Sequence, residues 1–160
     1  MNITIREIEK NDNLQLAQII RNSFEEYGAP MYGTVYSDPT TDDLYRLFRA
    51  EKSILWVALT DNKIAGCCGI YPTKGLPQNC VELVKFYLSA ESRKKGIGKA
   101  LLEKSIESAQ LFGYAKLYLE SLPHFNDAVN IYEKQGFRRL SKPMGESGHN
   151  ACNIWMMKDL

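Results

Sequence analysis

The sequence has no apolar run approaching the ~20 residues that a membrane-crossing helix needs. It has no excess of one charge either: 20 Lys+Arg stand against 19 Asp+Glu, a formal net charge of +1. That balance excludes a strong field, so neither nucleic acid nor an anionic membrane is expected as the main partner. Cysteine is scarce and poorly spaced for metal. Cys67, Cys68, Cys80 and Cys152 form no C-x-x-C pair, and His124 and His149 stand far apart. No metal is therefore expected. Cys67 and Cys68 lie in an apolar stretch, where a thiol behaves as a small hydrophobe, and none of the four has the sequence surroundings of a nucleophile. Repeats, low-complexity tracts and linkers are absent. Met1 to Glu7 alternate in polarity without a signal-peptide core, so a cytoplasmic location is expected.

What is present is the composition of a globular protein, 44% hydrophobic and 24% charged, in a length that suits one domain over residues 1–160. Residues 2–9 alternate as a strand. Asn11, Asp12 and Asn13 offer caps to a helix carrying Leu16, Ile19, Ile20, Phe24 and Tyr27 on one face, stopped by Gly28 and Pro30. Thr40 or Thr41 is expected to cap a second helix bearing Leu44, Leu47 and Phe48. Ile54–Leu59 and Ile64–Tyr71 read as strands joined by an Asp61-Asn62 hairpin turn, and Val81–Leu88 reads as the next strand. A long amphipathic helix is predicted from Gly96 to about Phe112, then a strand over Lys116–Leu119. A short helix capped by Asn126 and two final strands, Phe137–Leu140 and Asn153–Met157, complete the chain. The order β-α-α-β-β-β-α-β-α-β-β implies a mixed sheet flanked by helices, an α/β or α+β fold.

The segment Arg93-Lys94-Lys95-Gly96-Ile97-Gly98-Lys99-Ala100 lies where a strand gives way to a helix. The first N–H groups of a helix have no partner within it and sit at the positive end of its dipole, so an anion suits them. Gly96 and Gly98 keep side chains away from those donors, and four basic residues add charge. A diphosphate is the expected ligand. A P-loop needs G-x-x-x-x-G-K-[ST], whose spacing and hydroxyl Gly98-Lys99-Ala100 lacks. A dinucleotide turn is partly mimicked by Gly96, Gly98 and Glu120, but Leu101 stands where the third glycine belongs.

Arg93, Gly96 and Gly98 after the strand Val81–Leu88 form R-x-x-G-x-G, which resembles the acetyl-CoA motif of the GNAT superfamily of N-acetyltransferases. Asn126-Asp127-Ala128-Val129-Asn130-Ile131-Tyr132-Glu133-Lys134-Gln135-Gly136-Phe137 is similar to that family's N-x-x-A-x-x-x-Y-E-K-x-G-F segment. The two matches stand in register. The resemblance implies a mixed, mostly antiparallel sheet splayed at an acetyl-CoA site, with acetyl-CoA as acyl donor and no metal. It implies backbone contacts to pantetheine from Phe86, Tyr87 and Leu88, by strand addition. The amides of Lys94, Lys95, Gly96, Ile97, Gly98, Lys99 and Ala100 would hold the pyrophosphate, Arg93 or Lys94 would lie near the ribose phosphate, and Asn126 would meet the pantetheine end.

The implied reaction moves an acetyl group directly to a primary amine of a small molecule, amino acid or peptide. Tyr132 matches the family's general acid. A phenol near its reference pKa of about 10 is protonated at neutral pH and can donate to a leaving thiolate, although a helix-face tyrosine that only packs would look the same. Glu82 stands where relatives place a base. At a reference pKa of about 4.3 it would need burial or a water relay, and otherwise it would orient substrate. Tyr27, Tyr32 and His149 are the acceptor-binding candidates, and a homodimer is compatible with the family. The alternative is a non-catalytic acyl-CoA-binding or sensor module on the same fold.

Overall fold

The computed structural model describes residues 2–160; Met1 lies outside the described residues. Seven strands form one sheet: β1 (Ile3–Glu7), β2 (Ile54–Thr60), β3 (Lys63–Tyr71), β4 (Cys80–Leu88), β5 (Lys116–Ser121), β6 (Arg138–Leu140) and β7 (Ile154–Asp159). Their spatial order is β1-β2-β3-β4-β5-β7-β6. All neighbours are antiparallel except β4 and β5, which run parallel because the helix between them carries the chain back across the sheet. The β2–β3 turn falls at Asp61 and Asn62, whose φ angles of 50° and 68° fit the primed turn that short polar residues favour.

Helices cover both faces. On one, Leu16, Ile20 and Phe24 of α1 (Asn13–Tyr27) and Leu44 of α2 (Leu44–Leu47) pack on Leu55, Val57 and Cys67. On the other, Leu101, Leu102 and Ile106 of α3 (Ile97–Leu111) and Val129 of α4 (Asn126–Lys134) pack on Ala65, Cys68, Ile70 and Val81. Cys67 and Cys68 thus point into opposite cores, both buried, and all four cysteines are free.

Two expectations about helix starts need correction. Asp43 caps α2, its carboxylate accepting from Arg46 N at 3.2 Å, while Pro39–Asp42 form a separate 3-10 turn capped by Asp38. Thr40 and Thr41 spend their hydroxyls elsewhere, on Asp38 and on the Val35 carbonyl. Asn126 is already helical, because a 3-10 turn over Pro123–Phe125 leads straight into α4 and leaves no capping position.

The sheet parts between β4 and β5. Only Cys80–Glu82 pair with Lys116–Tyr118, and beyond them β4 has no β5 partner. On its other side β4 changes register: Val84 faces Gly69 but Tyr87 faces Cys67, so Lys85 and Phe86 together oppose Cys68. This is a β-bulge, and Lys85 takes the left-handed conformation at φ 59°. The bulge reverses which residues face which core. Val81 and Leu83 join the α3 side, and so do Phe86 and Leu88, whereas Val84 and Tyr87 join the α1 side. Gly66 makes the close strand approach possible, since a Cβ there would overlap the Tyr87 carbonyl oxygen.

Candidate active site

Two cavities meet along the open side of β4. The outer groove, about 390 Å³, runs between the start of α3 and the exposed face of α4. Gly96, at φ 82°, precedes the first helical residue, and Lys94 before it is also left-handed at φ 61°. The earliest bond of the helix is Ala100 N to the Gly96 carbonyl at 3.1 Å, and among the described residues the amides from Arg93 to Lys99 have no backbone acceptor. A turn of unpaired N–H groups flanked by Lys94 and Lys99, which line the groove, is an anion cradle.

The two glycines do different work there. A Cβ on Gly96 would meet nothing within 4 Å, so its requirement is the positive φ. A Cβ on Gly98 would come to 3.2 Å from both Phe86 and Leu88, so that glycine also lets α3 sit down on β4. Arg93 is committed to the protein. Its guanidinium binds Glu26, donates to the Leu88 carbonyl at 3.1 Å and lies 4.9 Å from the Tyr27 ring centre, which ties the loop to α1.

The inner pocket, about 80 Å³, occupies the space where β4 leaves β5. Five of its polar residues come from four places in the chain: Glu82 and Lys85 on β4, Glu120 on β5, Tyr132 on α4 and His149 in the loop before β7. Glu82 is 5% exposed and accepts from Thr73 Oγ1 at 2.5 Å. Burial lifts its carboxyl to about 7, with the charge of Glu120 adding and the Thr73 hydrogen bond and Lys85 opposing. Glu120 is held at both oxygens, by Ser147 Oγ and by Tyr118 OH at 2.7 Å. His149 Nε2 lies 2.9 Å from Asp38 Oδ2, joining the C-terminal loop to the loop before α2. Burial works to raise the Asp38 carboxyl, but hydrogen bonds from His149 and Thr40 and the charge of Lys85 outweigh it and hold it low. The Tyr132 ring packs 5.8 Å from both Phe86 and Phe137, and burial keeps its phenol protonated well above the usual range.

The sequence candidates therefore divide. Glu82, Tyr132 and His149 line the inner pocket together; Leu88, Arg93, Lys94, Gly96, Gly98 and Lys99 line the outer groove, with Phe86 and Tyr87 shared. Ile97 is buried in the α3 core, Ala100 is half-buried and Lys95 is exposed off the groove. Tyr27 lines the outer groove and not the inner pocket, and Tyr32, 87% exposed, lines neither cavity. Asn126 is exposed outside the groove, where Asn130 one turn later lines it.

Lys85 and Glu120, which line the inner pocket, and Asp38, which holds His149, are not among the sequence candidates. The one cation inside Val81-Glu82-Leu83-Val84-Lys85-Phe86-Tyr87-Leu88 is a readable signal for Lys85, because a cation rarely enters a largely apolar strand without a reason. Glu120 and Asp38 carry no such signal. Among the described residues no three His, Cys, Asp or Glu side chains gather as metal ligands, and no helix is long and apolar enough to cross a membrane.

Comparison with known proteins agrees with this geometry. Residues 16–137 match the model of the acetyltransferase (GNAT) family. The chain is 31% identical over 157 residues to the uncharacterized N-acetyltransferase YjgM of Escherichia coli, covering 98% of this chain and 94% of that one. Its fold is similar to that of an acetyltransferase of the GNAT family from Staphylococcus aureus, with a TM-score of 0.87 at 21% identity over 99% of each chain. It is also similar to the PaiA N-acetyltransferase of Thermoplasma acidophilum, solved in complex with coenzyme A, with a TM-score of 0.78 at 21% identity over 100% of both chains.

Proposed function

Because the chain belongs to the acetyltransferase (GNAT) family and is an N-acetyltransferase, we propose that it moves an acetyl group from acetyl-CoA directly to a primary amine of a small molecule, amino acid or peptide. The observation that carries this reading is the pairing of two cavities across the open side of β4. A basic helix start lies in one and a buried carboxyl faces the other, with Phe86, Tyr87, Phe125 and Ala128 as common walls.

The residues fit the donor. The unpaired amides around Gly96, with Lys94 and Lys99, suit a pyrophosphate, and the PaiA neighbour was solved with coenzyme A. The backbone of β4 beyond Glu82 has no β5 partner, so its free groups are available to an extended amide-bearing arm. When bound, acetyl-CoA supplies the activated acyl group. The chain supplies the proton handling. Glu82, with its carboxyl near 7, takes the proton the amine must lose. Tyr132, held protonated by burial, gives one to the departing sulfur. Both face the inner pocket, so acceptor and thioester meet at its mouth.

The test is amine-dependent thiol release from acetyl-CoA over a panel of primary amines, with the acetylated product identified by mass. Release that requires an amine supports the reading. Donor binding without transfer to any amine would instead favour an acyl-CoA-binding module.

A further inference from the structure

Lys85 is 7% exposed, and its side chain lines the inner pocket. A buried ammonium is ordinarily matched by a hydrogen-bonded carboxylate, since an unmatched one is costly. Here no ion pair or hydrogen bond to its Nζ is found among the described residues, and the atom is not sealed from the cavity. Burial pushes the Lys85 ammonium down from its usual pKa while Asp38 and Glu82 sustain its charge.

The acids around it are occupied. Asp38 uses one oxygen on Thr40 and the other on His149, and Glu120 uses its two on Ser147 and Tyr118. Glu82 uses only Oε1, on Thr73. The pocket therefore offers two unsatisfied groups: one cation with three donors and one carboxylate oxygen. Both sit on β4, Glu82 in regular pairing with Tyr71 and Lys85 at the bulge, where its left-handed backbone re-aims its side chain.

Resting on the acetyltransferase reading, we propose that the acceptor is a free amino acid, with Lys85 binding its carboxylate while Glu82 faces its amine. A diamine would set a second cation against Lys85. The N-terminus of a peptide has an amide where the carboxylate is needed. The cavity of about 80 Å³ suits a small molecule.

The test measures kcat/KM for a panel of amino acids, for their carboxamides and for the matching amines without the carboxyl, in the wild type, Lys85→Gln and Lys85→Arg. The wild type should prefer the acid over its carboxamide by about 10- to 100-fold, the scale of a charge-assisted hydrogen bond. Lys85→Gln should bring that ratio close to one by losing rate on the acid alone, and Lys85→Arg should restore part of it. Carboxamides used as well as acids by the wild type, or an acid preference that survives Lys85→Gln, would overturn the proposal and leave the acetyltransferase reading standing. Should Lys85→Gln fail to fold, the wild-type and Lys85→Arg ratios decide. Absence of transfer to any amine would bring down the acetyltransferase reading, and this proposal with it.

Discussion

The outer groove and the inner pocket share four wall residues, Phe86, Tyr87, Phe125 and Ala128, yet they recognise by different means. The groove is built from main chain: unpaired amides at the start of α3, two positive φ angles and an unpaired strand edge. Lys94 and Lys99 add charge beside that helix start but fix no geometry. The pocket is built from side chains that brace one another through Thr73, Ser147, Tyr118 and Asp38. A main-chain site tolerates substitution of most side chains and suits a ligand common to a family. A braced side-chain site changes its ligand when one residue changes. Donor recognition should therefore be robust and acceptor chemistry fragile.

The sharpest break in that contrast is Glu82→Gln. Loss of the proposed base should lower kcat by about 10²- to 10⁴-fold while acetyl-CoA affinity is retained, as read by steady-state rates beside donor titration. Tyr132→Phe should cost less, about 10- to 100-fold in kcat, with the same donor affinity; an unchanged rate with a turned-over amine would remove Tyr132 from proton transfer. On the other side of the comparison, Lys94→Gln with Lys99→Gln should raise the donor KM by about 5- to 10-fold. That effect should shrink at high salt because both lysines are exposed, and the acceptor KM should stay put.

The smallest effect is on stability. Below 4.5 the Glu82 carboxyl is protonated folded or unfolded, and its burial is then fully favourable. As pH rises from 4.5 to about 7 the unfolded chain releases this proton while the folded one keeps it, so stability falls across that window. The loss should amount to at most about 3 kcal/mol. Glu82→Gln should flatten that segment of the stability–pH curve, which denaturant titrations at several pH values would show.

The same contrast decides what was legible from sequence. The helix start at Arg93–Ala100 is one contiguous stretch whose glycines and lysines announce an anion cradle, and the apolar periodicities place α1, α3 and the strands within a residue or two. A second demand on Gly98 is not legible in the sequence, because its approach to Phe86 and Leu88 exists only once α3 lies on β4. The pocket gathers positions 82, 85, 120, 132 and 149, which only the sheet order and the latch between Asp38 and His149 bring together. The bulge was invisible for a related reason. Leu83 and Val84 before Lys85 and Phe86 to Leu88 after it are all apolar or aromatic, so alternation gives no hint that the faces exchange there.

Hydrogen exchange with and without acetyl-CoA, beside NAD as a control, tests the two-cavity account most directly. Acetyl-CoA should slow exchange in the Val84–Leu88 and Lys94–Ala100 segments together, and NAD should leave both unchanged. Protection by NAD, or by acetyl-CoA at neither segment, would contradict a donor site at the opening between β4 and β5.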